Sequence, residues 1–289
     1  MNTKIKFLLY LLLFALGFLG VQDFCRKQTR GFTLAKARSS CQSQENLELS
    51  KKELQSIQTI LDQPFSFLTR GLQCYVFVSQ DEKYVLKLLK WKELELPFWA
   101  KCLPTAWTSA MRAQKQRKKE HDFTSYQIAF NELKEETGLV YLHLHKTKGL
   151  NADLCLYDPL KIQHRIPADQ IEFILQKKAD PFLPFFESNK DHEIQLQSFL
   201  SNFVEILRKR MEKKISDSDI SLEYNMGIYE GTPLLFDIGN LTQVDSICLK
   251  NESRLVMEWL KSNSPHLASF LEKELEYKAS DTILLKENQ

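Results

Sequence analysis

One apolar run stands apart from the rest of the chain. Lys4 and Lys6 precede an unbroken hydrophobic stretch from Phe7 to Val21, and the first acidic residue is Asp23. About 15 apolar residues behind a positive end fit a secretory signal or a short membrane anchor; a full span needs roughly 20. No small-residue cleavage site is clear after Gly20. Arg26, Lys27, Arg30, Lys36 and Arg38 outweigh the basic start, which by the positive-inside rule disfavours simple export of the body. Residues 1–25 are therefore expected to be a single uncleaved anchor holding the chain to a membrane. A cleaved signal and a secreted body form the alternative. A buried core helix is disfavoured, because everything after the run reads as a complete domain.

Residues 26–62 read as a polar linker and a juxtamembrane helix. Ser50 to Glu53 form a capping box, Leu54, Ile57, Ile60 and Leu61 follow at helical spacing, and Pro64 stops the helix. The texture then changes to short runs rich in aromatic and β-branched residues. Phe65–Thr69, Cys74–Ser79 and Tyr84–Leu89 predict three consecutive antiparallel strands. A long polar helix ends in the stripe Tyr126, Ala129, Phe130, Leu133, with Gly138 as its stop. Leu139–His145, Asp153–Tyr157 and Glu172–Gln176 predict further strands, and a connector begins at Asp180. Beyond it, Leu196, Phe199, Leu200, Phe203 and Leu207 form one helical face. Glu230, Gly231 and Thr232 sit between two strands of a hairpin. Two helices follow, at about 251–262 and from Pro265.

This pattern predicts an α+β fold. Its β-rich part covers residues 63–180 and its helical part residues 181–289. With 43% apolar and 26% charged residues, the composition excludes a disordered, collagen-like or many-span chain. Nine glycines and nine prolines argue against a turn-dense all-β barrel. The 39 basic and 37 acidic residues leave a net charge of +2, so no global field draws nucleic acid. The cysteines at 25, 41, 74, 102, 155 and 248 contain no Cys-x-x-Cys pair and read as isolated thiols.

The chemistry lies in a sparse set of residues. Lys87 interrupts the apolar strand Tyr84-Val85-Leu86-Lys87-Leu88. Asp237-Ile238-Gly239 follows the hairpin, Asn225 lies at its start, and Asp219 precedes it. In this order the set resembles the protein-kinase-like superfamily over residues 65–245. The resemblance implies a two-lobed kinase-like fold, with an antiparallel sheet N-lobe and a reduced helical C-lobe behind the N-terminal hydrophobic helix. It implies ATP and Mg²⁺ as cofactors. Lys87 would meet the nucleotide phosphates beside Gly71, with Asp122 or Glu120 as its helix carboxylate. Asn225 and Asp237 would hold the metal, and Asp219 would act as catalytic base.

The departures are equally plain. Asn225 lies six residues after Asp219 where the family has five, Ser221 replaces the catalytic-loop lysine, and the Gly-rich loop is reduced to Gly71. The short stretch after Gly239 leaves no room for an activation segment and peptide platform. The expectation is a non-catalytic or weakly active pseudokinase that binds nucleotide or a protein partner. An atypical ATP-dependent phosphotransferase is the first alternative, and an unrelated α+β interaction module the second. His143 and His145 share a strand face but have no acidic or Cys partner nearby, so a core or surface role is expected. The basic run Arg112, Lys115, Arg117, Lys118, Lys119 reads as a solvated helix face, with anionic lipid as its alternative partner.

Overall fold

Along Cys74–Ser79 the side chains alternate between half-buried and buried, as a pleated strand with one covered face requires. The computed structural model describes residues 3–37, 44–46, 49–217, 219–223 and 225–287. The fold is mixed α+β, with a multi-strand sheet, a helical part and an N-terminal apolar helix. Helix α1 spans Thr3–Gln28 and α2 Leu34–Ala37; strand β1 (Gln44–Asn46) and helix α3 (Lys51–Leu61) follow. Strands β2 (Pro64–Arg70), β3 (Cys74–Ser79) and β4 (Tyr84–Leu89) come next, then helices α4 (Phe98–Lys101), α5 (Thr105–Glu132) and α6 (Lys134–Thr137). The middle of the chain forms β5 (Leu139–His143), β6 (Lys146–Lys148), β7 (Asp153–Tyr157), β8 (Gln163–Pro167), β9 (Phe173–Lys177) and β10 (Asp180–Pro181). Helices α7 (Phe182–Ser188) and α8 (Glu193–Glu212) lead to β11 (Ile215–Ser216), β12 (Met226–Tyr229), β13 (Thr232–Leu235) and β14 (Thr242–Gln243). Helices α9 (Leu249–Glu252), α10 (Arg254–Asn263) and α11 (Pro265–Glu287) end the described chain.

The chain packs as two units. The first comprises Met1–Glu95 and His143–Phe173, the second Leu96–Leu142 and Ile174–Gln289. Helix α5, which the sequence pattern grouped with the strands, belongs to the second unit. Its inward residues Ser125, Tyr126 and Ala129 are buried there.

In the first unit the strands lie in the order β4-β3-β2-β7-β8. The pairs β2-β3 and β3-β4 are antiparallel, with Val78 opposite Val85 and Phe77 opposite Leu86. Strand β2 pairs parallel with β7. The capping box at Ser50 is complete: Glu53 N–H reaches the Ser50 hydroxyl and the Glu53 carboxylate accepts the Ser50 N–H. Strand β8 was not foreseen, because only Ile166 among its five residues is buried and no alternation marks it. His143 is structural: Ile171 O and the Thr147 hydroxyl bond its two ring nitrogens, and burial pushes its pKa down.

The linker expected after the anchor is held down where it is described. Gly31, in the left-handed region at φ 71°, turns the chain out of α1. Phe32 then enters the sheet face, edge-on to Phe67, Tyr75 and Phe77 at 5.1–6.1 Å between ring centroids. Tyr75 donates its hydroxyl to Gly31 O, and Lys36 pairs with Glu93 at 2.8 Å. Ser39, Ser40, Cys41 and Ser43 lie outside the described residues.

In the second unit, helix α8 buries the predicted stripe from Leu196 to Leu207. Glu230 and Gly231, at φ 51° and 80°, form the two-residue turn of the β12–β13 hairpin, the mirror-image geometry that matches strand twist. The connector expected at Asp180 is a strand, pairing through β10 with β12. A side chain at Gly227 would meet Asp180 O at 2.6 Å, so only glycine permits that approach.

Phe32→Ala should lower stability by about 3 kcal/mol, since deleting a buried aromatic ring leaves both lost transfer energy and a cavity. Chemical denaturation of the full chain measures it. An unchanged midpoint would mean that the segment after α1 is not docked.

Candidate functional site

The buried charge at the end of α8 organises the acidic loop that follows. Arg210 continues the apolar stripe three residues beyond Leu207 and is 1% exposed. A guanidinium so placed requires an acid. Glu252, at the end of α9, supplies it at 2.6 Å. The same carboxylate accepts the Ser216 hydroxyl at 2.5 Å and the Asp217 N–H at 2.9 Å. Arg210 Nε also donates to Ile215 O. One ion pair therefore fixes strand β11 and the start of the loop. Asp217 in turn accepts the Asp219 N–H at 3.1 Å, and Asp219 accepts the Asn240 side-chain amide at 3.2 Å.

The other half of the arrangement is the base of the hairpin. The carbonyl of Asn225 accepts the N–H groups of Phe236 and Asp237, at 3.0 and 3.4 Å. Asp237 turns back on itself by accepting the Gly239 N–H at 3.2 Å. Helix α5 clamps this turn. The buried Ser125 hydroxyl donates to Ile238 O at 2.6 Å and accepts the Leu241 N–H at 2.8 Å. Strand β14, directly after, pairs with β11. So Asp217, Asp219, Asn225 and Asp237 come from two loops that share one hydrogen-bonded frame.

Their environments differ. Asn225 and Asp217 are buried, whereas Asp219 and Asp237 are exposed. Burial pushes the Asp217 carboxyl up, Arg210 and the Asp219 N–H oppose that rise, and the nearby carboxylates of Asp237 and Glu252 add to it. Sequence reasoning chose Asp219 as the base and passed over Asp217, the carboxylate whose protonation the fold perturbs. The available signal was its place immediately after a strand. Among the described residues no cluster of three His, Cys, Asp or Glu side chains is arranged to hold a metal ion.

Asp122 and Glu120 lie on α5 in the same unit. Asp122 is 1% exposed and accepts Lys118 Nζ at 3.1 Å, while Glu120 is exposed and accepts the Gln116 amide. Of the two, Asp122 shares the inward face with Ser125.

Gly71 and Lys87 belong to the first unit. Lys87 is half-buried on β4 opposite Val76. Gly71 closes a tight turn in which its N–H bonds Cys74 O at 2.9 Å. Its carbonyl accepts Lys90 Nζ at 2.7 Å. Lys90 is 8% exposed, and burial holds its pKa down although Glu93 opposes this. Sequence reasoning missed Lys90, which locks the turn after β2. An open polar groove of about 820 Å³ in this unit lies between α3 and the β7–β8 hairpin. Neither Gly71 nor Lys87 lines it.

No family model and no curated protein matches the chain. Among solved structures, the 2.2 Å crystal structure of WbdD matches at 12% identity and a TM-score of 0.39, covering 74% of this chain and 46% of WbdD. The complex of WbdD with the kinase inhibitor LY294002 matches at 13% and 0.37, covering 74% and 45%. A medium-resolution structure of the bifunctional kinase-methyltransferase WbdD matches at 15% and 0.35, covering 72% and 43%. The chain thus spans less than half the length of these proteins.

The titration of Asp217 yields a test. Its folded pKa lies above its unfolded one, so its contribution to stability is full at low pH and is lost as pH rises through the folded value. Asp217→Asn keeps an oxygen to accept the Asp219 N–H and removes the charge. The variant should match wild type near pH 4 and become the more stable of the two as pH rises to 7, in thermal melts. A variant less stable at pH 7 than at pH 4, relative to wild type, would mean that the Asp217 charge is fully compensated.

Proposed function

We propose that the protein is a membrane-anchored, divergent kinase-like protein whose body binds a nucleotide or a protein partner with little or no phosphotransfer. One observation carries this reading: Asn225 and Asp237 are tied together at the base of the β12–β13 hairpin, in one frame with the Asp217–Asp219 loop. Mg²⁺ takes oxygen ligands and is commonly held by one or two carboxylates together with waters and substrate phosphates. Asn225 and Asp237 suit that donor set, and the Asp237 carboxylate adds to the burial that disfavours a bare charge on Asp217. A bound Mg²⁺ would supply neutralisation of ATP phosphates.

The reading stops short of catalysis for two physical reasons. Asp219, the expected base, lies six residues before Asn225 where the family has five, and one of its carboxylate oxygens accepts the Asn240 amide. The turn at Gly71 has its N–H and carbonyl bonded internally, so it offers no open nest for phosphate. The phosphotransferase alternative rests on Asp217, because perturbed carboxyls concentrate at functional sites.

Helix α1 supports the anchor. Residues Ile5–Gln28 form a helix long and apolar enough to cross a membrane, with mean hydropathy 2.0 and none of that stretch buried, a test that a signal sequence also passes.

A thermal-shift titration of the full chain in detergent with ATP and Mg²⁺ tests the nucleotide. At a hundredfold excess over Kd, binding stabilises the fold by about 2.7 kcal/mol, a rise of several degrees. Asp237→Ala should remove the rise and leave the apo melting temperature within a degree or two. No rise in wild type at millimolar ATP would leave partner binding alone. A rise unchanged in the variant would place nucleotide elsewhere.

A further inference from the structure

Between Leu96 and Lys119 the chain carries six basic residues and no acidic one, against a near balance over the whole sequence. The same segment holds large apolar side chains that the fold leaves uncovered. Phe98 is 84% exposed, Trp99 60%, Leu103 38% and Trp107 77%. Ala100 and Thr108 are tucked inward and fix the local backbone. Beyond Thr108, the next buried residue of α5 is Asp122, so the first half of this helix stands almost entirely in solvent. Exposed aromatic residues grouped this way mark an interaction surface rather than ordinary surface scatter.

The charge decides which surface they meet. A second copy of this segment would bring six positive charges against six, and the cores of protein interfaces are depleted of charge. A bilayer with anionic headgroups satisfies both halves at once. Indole and phenyl rings settle at the headgroup–acyl boundary. Lysine and arginine beside them meet lipid phosphates. Trp107 and Lys118 lie on one helical face, eleven residues and three turns apart, so rings and cations follow one another along the helix.

We propose that Leu96–Lys119 is a second membrane-contacting element, an interfacial wedge of Phe98, Trp99, Leu103 and Trp107 with a basic flank that binds anionic lipid. It draws support from the anchor reading of α1 and is independent of nucleotide. Its consequence is that the second unit would touch the bilayer directly, beyond any tether through the N-terminus.

The test uses the four tryptophans. Trp91 is buried and Trp259 packs against Phe182 and Phe186, so the emission lost in Trp99→Phe/Trp107→Phe isolates the two exposed rings. Full-length wild type and double variant are reconstituted into phosphatidylcholine vesicles containing phosphatidylglycerol, with plain or brominated acyl chains. Bromine should remove most of the difference in emission between the two proteins. Arg112→Glu/Arg117→Glu, or vesicles of phosphatidylcholine alone, should restore much of it. An equal difference in plain and brominated vesicles overturns the proposal. So does shielding from aqueous iodide that grows with protein concentration without bromine quenching, which identifies self-association. Flotation in high salt reads α1 separately: a chain that floats with unquenched Trp99 and Trp107 keeps the anchor and loses the wedge. A chain that no longer floats in high salt, yet is quenched in low salt, loses the anchor and keeps it.

Discussion

A buried guanidinium cannot stay unpaired, and that constraint shapes the candidate site. Arg210 is carried inward by the same helical stripe that builds the core of the second unit. Its charge is compensated by Glu252, and the remaining lone pairs of that carboxylate hold Ser216 and the Asp217 backbone. Breaking such a pair on one side costs about 3–5 kcal/mol, because the survivor stays buried and charged. The acidic loop is thus fixed by an electrostatic requirement that arises in the core. Ser125 completes the frame from α5, donating once and accepting once, so that neither loop backbone group is left unmade at that point.

This frame explains how a loop rich in like charge can be ordered at all. Asp217 and Asp237 repel one another, and burial disfavours the charge on Asp217 further. Backbone hydrogen bonds and the Arg210 charge offset these costs.

Much of this architecture was legible in the sequence. Runs rich in aromatic and β-branched residues gave β2, β3 and β4, and the 3.6 period gave the buried face of α8. Glu230-Gly231 marked its hairpin, because both residues must adopt positive φ. Asp219, Asn225 and Asp237 were found by order and spacing, and the three share one frame with Asp217, which was passed over. What was not legible has a common cause. Glu252 lies 42 residues from Arg210, and no local pattern announces a pairing across that separation. Lys90 was not singled out beside the conspicuous Lys87, yet it is the one that closes the Gly71 turn. The docking of Phe32 was hidden because a single aromatic residue in a polar stretch carries no periodicity. Helix α5 packs in the second unit through its second half, and its polar first half gives no packing signal.

The central claim is that the Asp217–Asp219 and Asp237–Leu241 loops form one cooperative frame held by Glu252. Native-state hydrogen exchange tests it directly. The amides of Asp217, Asp219 and Leu241 should share one opening free energy in wild type. Glu252→Gln should lower all three together, by about 3 kcal/mol, since it leaves Arg210 buried without its counter-charge. If Asp217 loses protection while Leu241 keeps its own unchanged, the two loops are independent and the frame does not exist.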